Sequence, residues 1–480
     1  LQLFTVCDNY PSAHPMGNRD HVPILARLST HRVEVEGPRM TDVPSQVRDL
    51  QLPGASLSAL AVERSSGNRL IQNTPDRALA PASNTKLVTA GLALENLNPD
   101  WQFETQVLGP RTENGDVDGD LVLVGGGAPD LDQAALSKLA SDVSRQTARV
   151  TGDLVVNGTM FPDGQVGPGW TWGDTRYYYG ARSSAVALNR NQVTVTVTSN
   201  AGDPSVSVLP DTPTIELAVT ATVDGAAIKD DLQIFTDPET GKITVEGAVP
   251  PGATPIEESV PVPAPERHTG LALRKALNDA GVEIEGRVRV RDVTDDQNTT
   301  RETSVFARVE SSPLRELIRE MNVPSDNFIA EQLARRVAHE AAGDGTWGAW
   351  ESLVQEHFGS LGIETVRICD GSGLSRYNLV SAQAIVAHLQ WIDDHPWRSA
   401  FFDSLPTPGT GTLSSRLEGV TVAAKTGTIT GTSALSGVVR RETKPDVIFS
   451  IIHGGLTRGE SDKARTTQNA FVRWLADHAD

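Results

Sequence analysis

The sequence predicts a mixed α/β (α+β) fold. One domain of antiparallel sheet flanked by helices is interrupted by a long β-rich insertion of two nested parts. Three observations predict it. Strand-like segments sit at both ends, "SLSALAVE" at 56–63 and "DVIFSIIHGG" near the C-terminus. Helical periodicity lies just inside those ends, at 83–97 and 312–342. Between them, residues 101–302 change character and become rich in Gly, Pro, Thr and Val. At 480 residues the chain exceeds what one hydrophobic core usually needs, so two or three domains are expected.

In chain order, residues 1–43 carry Pro, His and charge with little periodicity and read as a poorly anchored leader. The interrupted domain begins at 44. "SLSALAVE" reads as a strand, "RSSGN" as a turn and "RLIQN" as its hairpin partner. A loop ending at Pro81 leads into a helix from about Ser83 to Leu97, closing the first half at 100. In the insertion, "GDLVLVGGGAP" and "TGDLVVNGTMF" are strand–turn units, and "NQVTVTVTSN" alternates as a half-buried strand does. "HTGLALRKALNDAGVEIEG" supplies one helix and a strand entry. From 303 the domain resumes with helices over 312–342, broken at Pro324, and over 378–391. "VAAKTGTITGTSALSGVV" and "DVIFSIIHGG" read as two antiparallel strands, and a helix over 464–478 ends the chain.

The bulk numbers exclude several function classes. Net charge is −19, from 61 acidic and 42 basic residues, and no basic stripe stands out to meet phosphates, so nucleic acid is not an expected partner. No run of eighteen apolar residues occurs, so no transmembrane segment is expected. The chain opens without Met and without a basic region followed by an apolar core; either a signal was removed or the start is truncated. Lysine is scarce beside arginine, which suits either a high-salt environment or arginine-favouring codon usage. Cys7 and Cys369 make neither a disulfide framework nor a four-ligand metal site, and Cys369 reads as buried and inert. No metal or cofactor is expected.

Three short motifs carry chemistry. In "PASNTKLVTAG", Ser83 and Lys86 are three apart on a helix and share a face. A serine hydroxyl is a poor nucleophile until a neighbour takes its proton, and a lysine serves once burial lowers its pKa. The bland alternative is a capping serine with a surface lysine. Ser325-Asp326-Asn327 follows the break at Pro324; its residues point into a cleft or simply cap the next helix. In Lys425-Thr426-Gly427-Thr428, a cation and hydroxyls on a strand suit a terminal carboxylate, and Gly427 permits close backbone approach.

Ser-x-x-Lys, Ser-Asp-Asn and Lys-Thr-Gly in this order form the motif set of penicillin-binding proteins and class A β-lactamases. With "GDLVLVGGGAPDL", "CDGSGLSRYNLVS" and "KTGTITGTSALSG", the chain resembles the D-alanyl-D-alanine carboxypeptidase/endopeptidase family of class C penicillin-binding proteins, most of all its soluble actinobacterial-type members. The likeness covers roughly 50–480. It implies a serine β-lactamase/transpeptidase-like domain with two further domains inserted between the first and second motifs. It implies Ser83 as acylated nucleophile and Lys86 as its base, with Ser325 and Asn327 on the second wall. Lys425 and Thr426 would bind the substrate carboxylate, with Gly427 and Thr428 completing the strand. Backbone N–H groups of Ser83 and Thr428 would form the oxyanion hole. Tyr178 and Tyr179 carry over more loosely, as a substrate wall. The implied substrate is a peptide ending in D-Ala–D-Ala, the implied inhibitors are β-lactams, and the implied location is extracytoplasmic. A β-lactamase, an esterase or a D-amino-acid amidase could use the same serine and lysine. A non-catalytic envelope-binding protein would be expected to lack one of the pair.

Overall fold

The computed structural model describes residues 50, 52–110, 115–199, 202–292 and 304–477. The expected leader over 1–43 and Cys7 lie outside these residues. The fold is built around an antiparallel sheet of five strands, ordered Val422–Ile429, Thr432–Val439, Val447–Gly454, Ser56–Glu63 and Arg69–Asn73. Ser56–Glu63 pairs with Val447–Gly454 in continuous register from Ser56↔Gly454 to Glu63↔Val447, so the two ends of the chain close one sheet. The segment 422–439, expected as one strand, is a hairpin: it turns at Gly431, whose φ of +86° suits glycine.

Both faces of this sheet are covered. One packs against an apolar cluster with Leu57, Ile71, Phe449, Phe471 and Leu475, closed by the C-terminal helix Glu460–Asp477. The other faces the Thr85–Leu97, Leu314–Asn322, Asn327–Ala342 and Ala382–Asp393 helices, with Leu87, Val88, Ile329, Leu333 and Ile385 at their junction. Thr85–Leu97 is buried on almost every side, which explains its unbroken apolar run.

The middle of the chain forms two bodies. A mixed five-stranded sheet is ordered Val288–Val290, Leu154–Asn157, Leu121–Gly125, Glu104–Gly109 and Ser304–Glu310, flanked by helices Gln133–Ser144 and Pro265–Asp279. Its apolar cluster runs on without a break into that of the helices packed on the central sheet. Between its strands in sequence lies a small all-β body, 192–262, with its own core of Val193, Val195, Ile234, Val245 and Val260. Ser304–Glu310 pairs with Glu104–Gly109, so it completes the mixed sheet rather than the central one. Among the described residues no helix is long and apolar enough to cross a membrane.

Candidate active site

Ser83 lies in a 3-10 turn, Ala82–Asn84, that runs directly into the Thr85–Leu97 helix. The turn is pressed against the Val422–Ile429 strand at Gly427. A Cβ on Gly427 would stand 2.6 Å from the Pro81 carbonyl oxygen, so only glycine lets the strand come this close. Asn84 fixes the turn from the other side by donating to Ser436 Oγ at 2.7 Å. Ser83 is not the cap of the helix: the N-cap position is Asn84, without a side-chain cap bond. The Ser83 hydroxyl instead sits 3.1 Å from Lys86 Nζ.

Lys86 is fully buried, and its amine meets three oxygens: Ser83 Oγ at 3.1 Å, Asn327 Oδ1 at 2.7 Å and the Ser372 carbonyl at 2.8 Å. The Asn327 amide is oriented by its other end, where Nδ2 donates to the Tyr179 carbonyl at 2.9 Å. A carbonyl can only accept, so Oδ1 must face the lysine. Two of the three partners are therefore pure acceptors. A neutral amine has two N–H bonds and one lone pair; with both N–H groups committed to Asn327 and Ser372, the lone pair is left for the Ser83 hydroxyl proton. Burial lowers the Lys86 pKa to about 8, against the opposing charges of Glu331, Asp370 and Asp326.

The second motif occupies the turn between two helices. Ser325 is held at φ 68°, a left-handed conformation uncommon for serine, and Asp326 rather than Ser325 caps the next helix by accepting from Ile329 N at 2.9 Å. The other Asp326 oxygen takes Arg190 from the insertion at 2.7 Å. Lys425 is also fully buried. It donates to Ser325 Oγ at 2.9 Å and to the Thr426 carbonyl at 3.1 Å, while Thr426 Oγ1 meets Thr412 Oγ1 at 2.8 Å. Burial, and then the charge of Lys86, push the Lys425 pKa well below its ordinary value.

These motifs converge on a cleft of about 550 Å³ lined by Ser83, Ser325, Asn327, Thr428, Tyr178 and Tyr179, among others. The hydroxyls face the cleft, and the two lysine amines lie behind them. Tyr178 is 57% exposed at the rim; Tyr179 stacks on Tyr177 with ring centroids 5.8 Å apart.

Sequence reasoning did not assign site roles to the loop Asp370–Gly373 or to Glu331. Asp370 accepts from Gly373 N, Ser375 N, Asn378 Nδ2 and Trp170 Nε1 and so ties the loop to the insertion. Gly373, at φ +88°, passes so close to the nucleophile turn that a Cβ would stand 1.9 Å from the Ala82 oxygen. The spacing that could have exposed Glu331 is Asn327, Glu331, Arg335: polar residues four apart, and so on one face of the helix. Cys369 is buried, its thiol pushed up to about 12 chiefly by burial, which suits an inert residue.

A half-buried serine on a fully buried lysine beside an antiparallel sheet, faced by a second serine and a second lysine, is the arrangement of a serine acyl-transfer hydrolase of the penicillin-binding class. The chain belongs to the D-Ala-D-Ala carboxypeptidase 3 (S13) family, whose model matches residues 40–478, and is a serine-type carboxypeptidase of that family. It is 32% identical over 482 residues to the D-alanyl-D-alanine carboxypeptidase of Actinomadura sp. (strain R39), covering 95% of this chain and 88% of that one. It is 24% identical to the D-alanyl-D-alanine carboxypeptidase DacB of Haemophilus influenzae, covering 88% of this chain and 90% of the relative. The crystal structure of penicillin binding protein 4 from H. influenzae superimposes with a TM-score of 0.79 at 22% identity, covering 90% of this chain and 99% of that one, and shares its fold.

Proposed function

We propose that Ser83 attacks the peptide bond between the two terminal residues of a peptide ending in D-Ala–D-Ala, with Lys86 taking its proton. Released D-alanine leaves a Ser83 ester, which water hydrolyses. The observation that carries this reading is the Lys86 amine: two acceptor-only oxygens hold its N–H bonds and direct its lone pair at a hydroxyl 3.1 Å away. Ser325, in contact with Lys425, passes a proton to the departing amine, and Asn327 holds both the base and the far wall. Lys425 supplies the positive potential for the substrate's terminal carboxylate, which Thr426 and Thr428 receive on the strand that Gly427 lets approach. Backbone N–H groups of Ser83 and Thr428 stabilise the oxyanion, and Tyr178 and Tyr179 flank the peptide. β-Lactams acylate the same serine. The expected catalytic domain, 44–100 and 303–480 around the insert 101–302, works from about residue 311 onward in its second part, because Ser304–Glu310 belongs to the insert's mixed sheet. The proposed substrate class supports a location outside the cytoplasm.

The test is direct. The protein and Ser83→Ala are incubated separately with a fluorescent penicillin and with a D-Ala–D-Ala-terminated peptide. Covalent label on Ser83 and release of D-alanine are expected from the native chain and neither from the variant. Labelling that survives Ser83→Ala would sink the assignment, and rapid penicillin turnover would make the protein a β-lactamase instead.

A further inference from the structure

Behind the base lies an acid that the reaction as described does not use. Glu331 is fully buried on the helix of Asn327, one turn further along. Its two carboxyl oxygens accept from consecutive main-chain amides, Oε2 from Gly371 N at 2.8 Å and Oε1 from Ser372 N at 2.9 Å. Burial and then Asp370 push the Glu331 pKa up to about 8, while the bonds from Gly371 and Ser372 oppose them. Consecutive amides turned toward one anion form a nest, and two oxygens each taking an N–H is the bonding of a carboxylate. The residue whose amide Glu331 holds is the one whose carbonyl takes Lys86 Nζ at 2.8 Å. The route from the acid to the base is therefore a single residue, Ser372.

We propose that Glu331 is a positioning residue for the base: it fixes the Ser372 carbonyl against Lys86, and its charge steadies the ammonium formed when Ser83 gives up its proton. This rests on the assignment of Lys86 as base. The Ser83 proton moves to the Lys86 amine as the Ser83–substrate bond forms, so a cation appears on a fully buried side chain. Burial opposes that cation, and Glu331 is the first of the charges that favour it. The other groups facing Lys86 are Asp370 on the loop, Asp326 at the helix cap and Lys425 on the strand; Asp370 and Arg335 also face Glu331. Of the acids that favour the Lys86 cation, Glu331 is the one whose hydrogen bonds hold the Ser372 amide.

The test is the pH profile of acylation by a fluorescent penicillin, read for the whole chain, Glu331→Gln and Glu331→Asp. The wild type should show an acid limb where Lys86 loses its proton; its absence would overturn both the base assignment and this proposal. In Glu331→Gln the charge is gone and one amide loses its acceptor. The limb should then move about one pH unit lower and the plateau should fall about 10- to 100-fold. Glu331→Asp keeps the charge but cannot span both amides, so its limb should stay while its plateau falls. A plateau loss in Glu331→Gln with the wild-type limb retained would overturn the proposal, since a merely structural residue scales the rate without moving the limb. Should Glu331→Gln fail to fold, wild-type protein carrying ¹³C-carboxyl glutamate gives the answer by NMR. A Glu331 signal that stays that of a neutral acid wherever acylation proceeds would overturn the proposal as well.

Discussion

The two buried lysines, Lys86 and Lys425, make a controlled comparison within one site. Both are fully buried, both touch a serine hydroxyl, and both have pKa values lowered by burial. Their surroundings then diverge. Lys86 has three oxygens around its amine and acids behind them; Lys425, among the described residues, has Ser325 Oγ and its own neighbour's carbonyl, and faces the charge of Lys86. A lysine whose acceptors are complete needs nothing further and can cycle one proton. A lysine short of counter-charge attracts an anion. The proposed division of identical side chains between base and receptor thus follows from their second neighbours.

The largest effect should come from breaking the first of these. Lys86→Ala leaves Ser83 without a proton acceptor and should lower the acylation rate by about 10³-fold, within the span of general-base contributions. The cleft walls at Ser325 and Thr428 remain, so non-covalent binding of a D-Ala–D-Ala peptide should persist. Acylation by fluorescent penicillin, followed against time, measures it; an unchanged rate would remove Lys86 from the mechanism.

Lys425→Ala should act on recognition instead. Loss of about 10²-fold in kcat/KM is expected for a peptide with a free terminal carboxylate, and little loss for the same peptide as its amide. The pH dependence should divide in the same way. Rates for both peptides should rise as pH climbs through about 8, where Lys86 becomes neutral. The free-carboxylate peptide alone should then fall again as Lys425, whose pKa is also depressed, loses its proton. Neutral Lys86 no longer repels Lys425, and the arriving carboxylate supplies the missing counter-charge, so Lys425 keeps its proton after Lys86 has lost its own. Equal high-pH losses for acid and amide would refute the division of labour.

How much of this was legible in the sequence follows the range of the interactions. Ser83 with Lys86 is an i, i+3 relation across a turn that runs into a helix, and strand-like runs at both ends of the chain pointed to one interrupted domain. What was hidden is made between distant segments. Nothing local says that Ser372 will present its carbonyl to Lys86, or that Glu331 will hold it there. The helix Trp347–Ser360 escaped because two glycines and several aromatic residues dilute its period, and Gln133–Ser144 escaped inside a region dominated by strands. The helix over 378–391 begins instead at Ala382, capped by Ser381, because Asn378 is committed to Asp370 and the Cys369 amide. At Ser325-Asp326-Asn327 the cleft and the cap alternatives both hold: Asp326 caps the helix, and Ser325 is left at a strained φ facing Lys425.

The same contrast extends to the support behind each serine, and here the smallest effect is expected. Ser83 rests on buried groups, whereas the turn carrying Ser325 is also braced from the insertion by Arg190, which pairs with Asp326 at 2.7 Å and Glu320 at 3.0 Å. Arg190 stands in a run of three left-handed residues, Asn189 to Asn191, held by Asn191 Nδ2 on the Arg182 carbonyl at 2.7 Å. Asparagine tolerates that conformation, but it is costly for Arg190, whose guanidinium pairs with Asp326. Its side chain is 36% exposed, however, and a pair at that exposure contributes less than about 1 kcal/mol and is screened by salt. Asp326 also keeps its cap bond to Ile329 N without the arginine. Arg190→Ala should therefore slow acylation by less than about fivefold. The deficit should shrink as ionic strength rises and the native pair is itself weakened. A loss as large as that of Lys425→Ala would mean that the insertion sets the second motif's geometry outright, and the contrast between buried and surface support would fail.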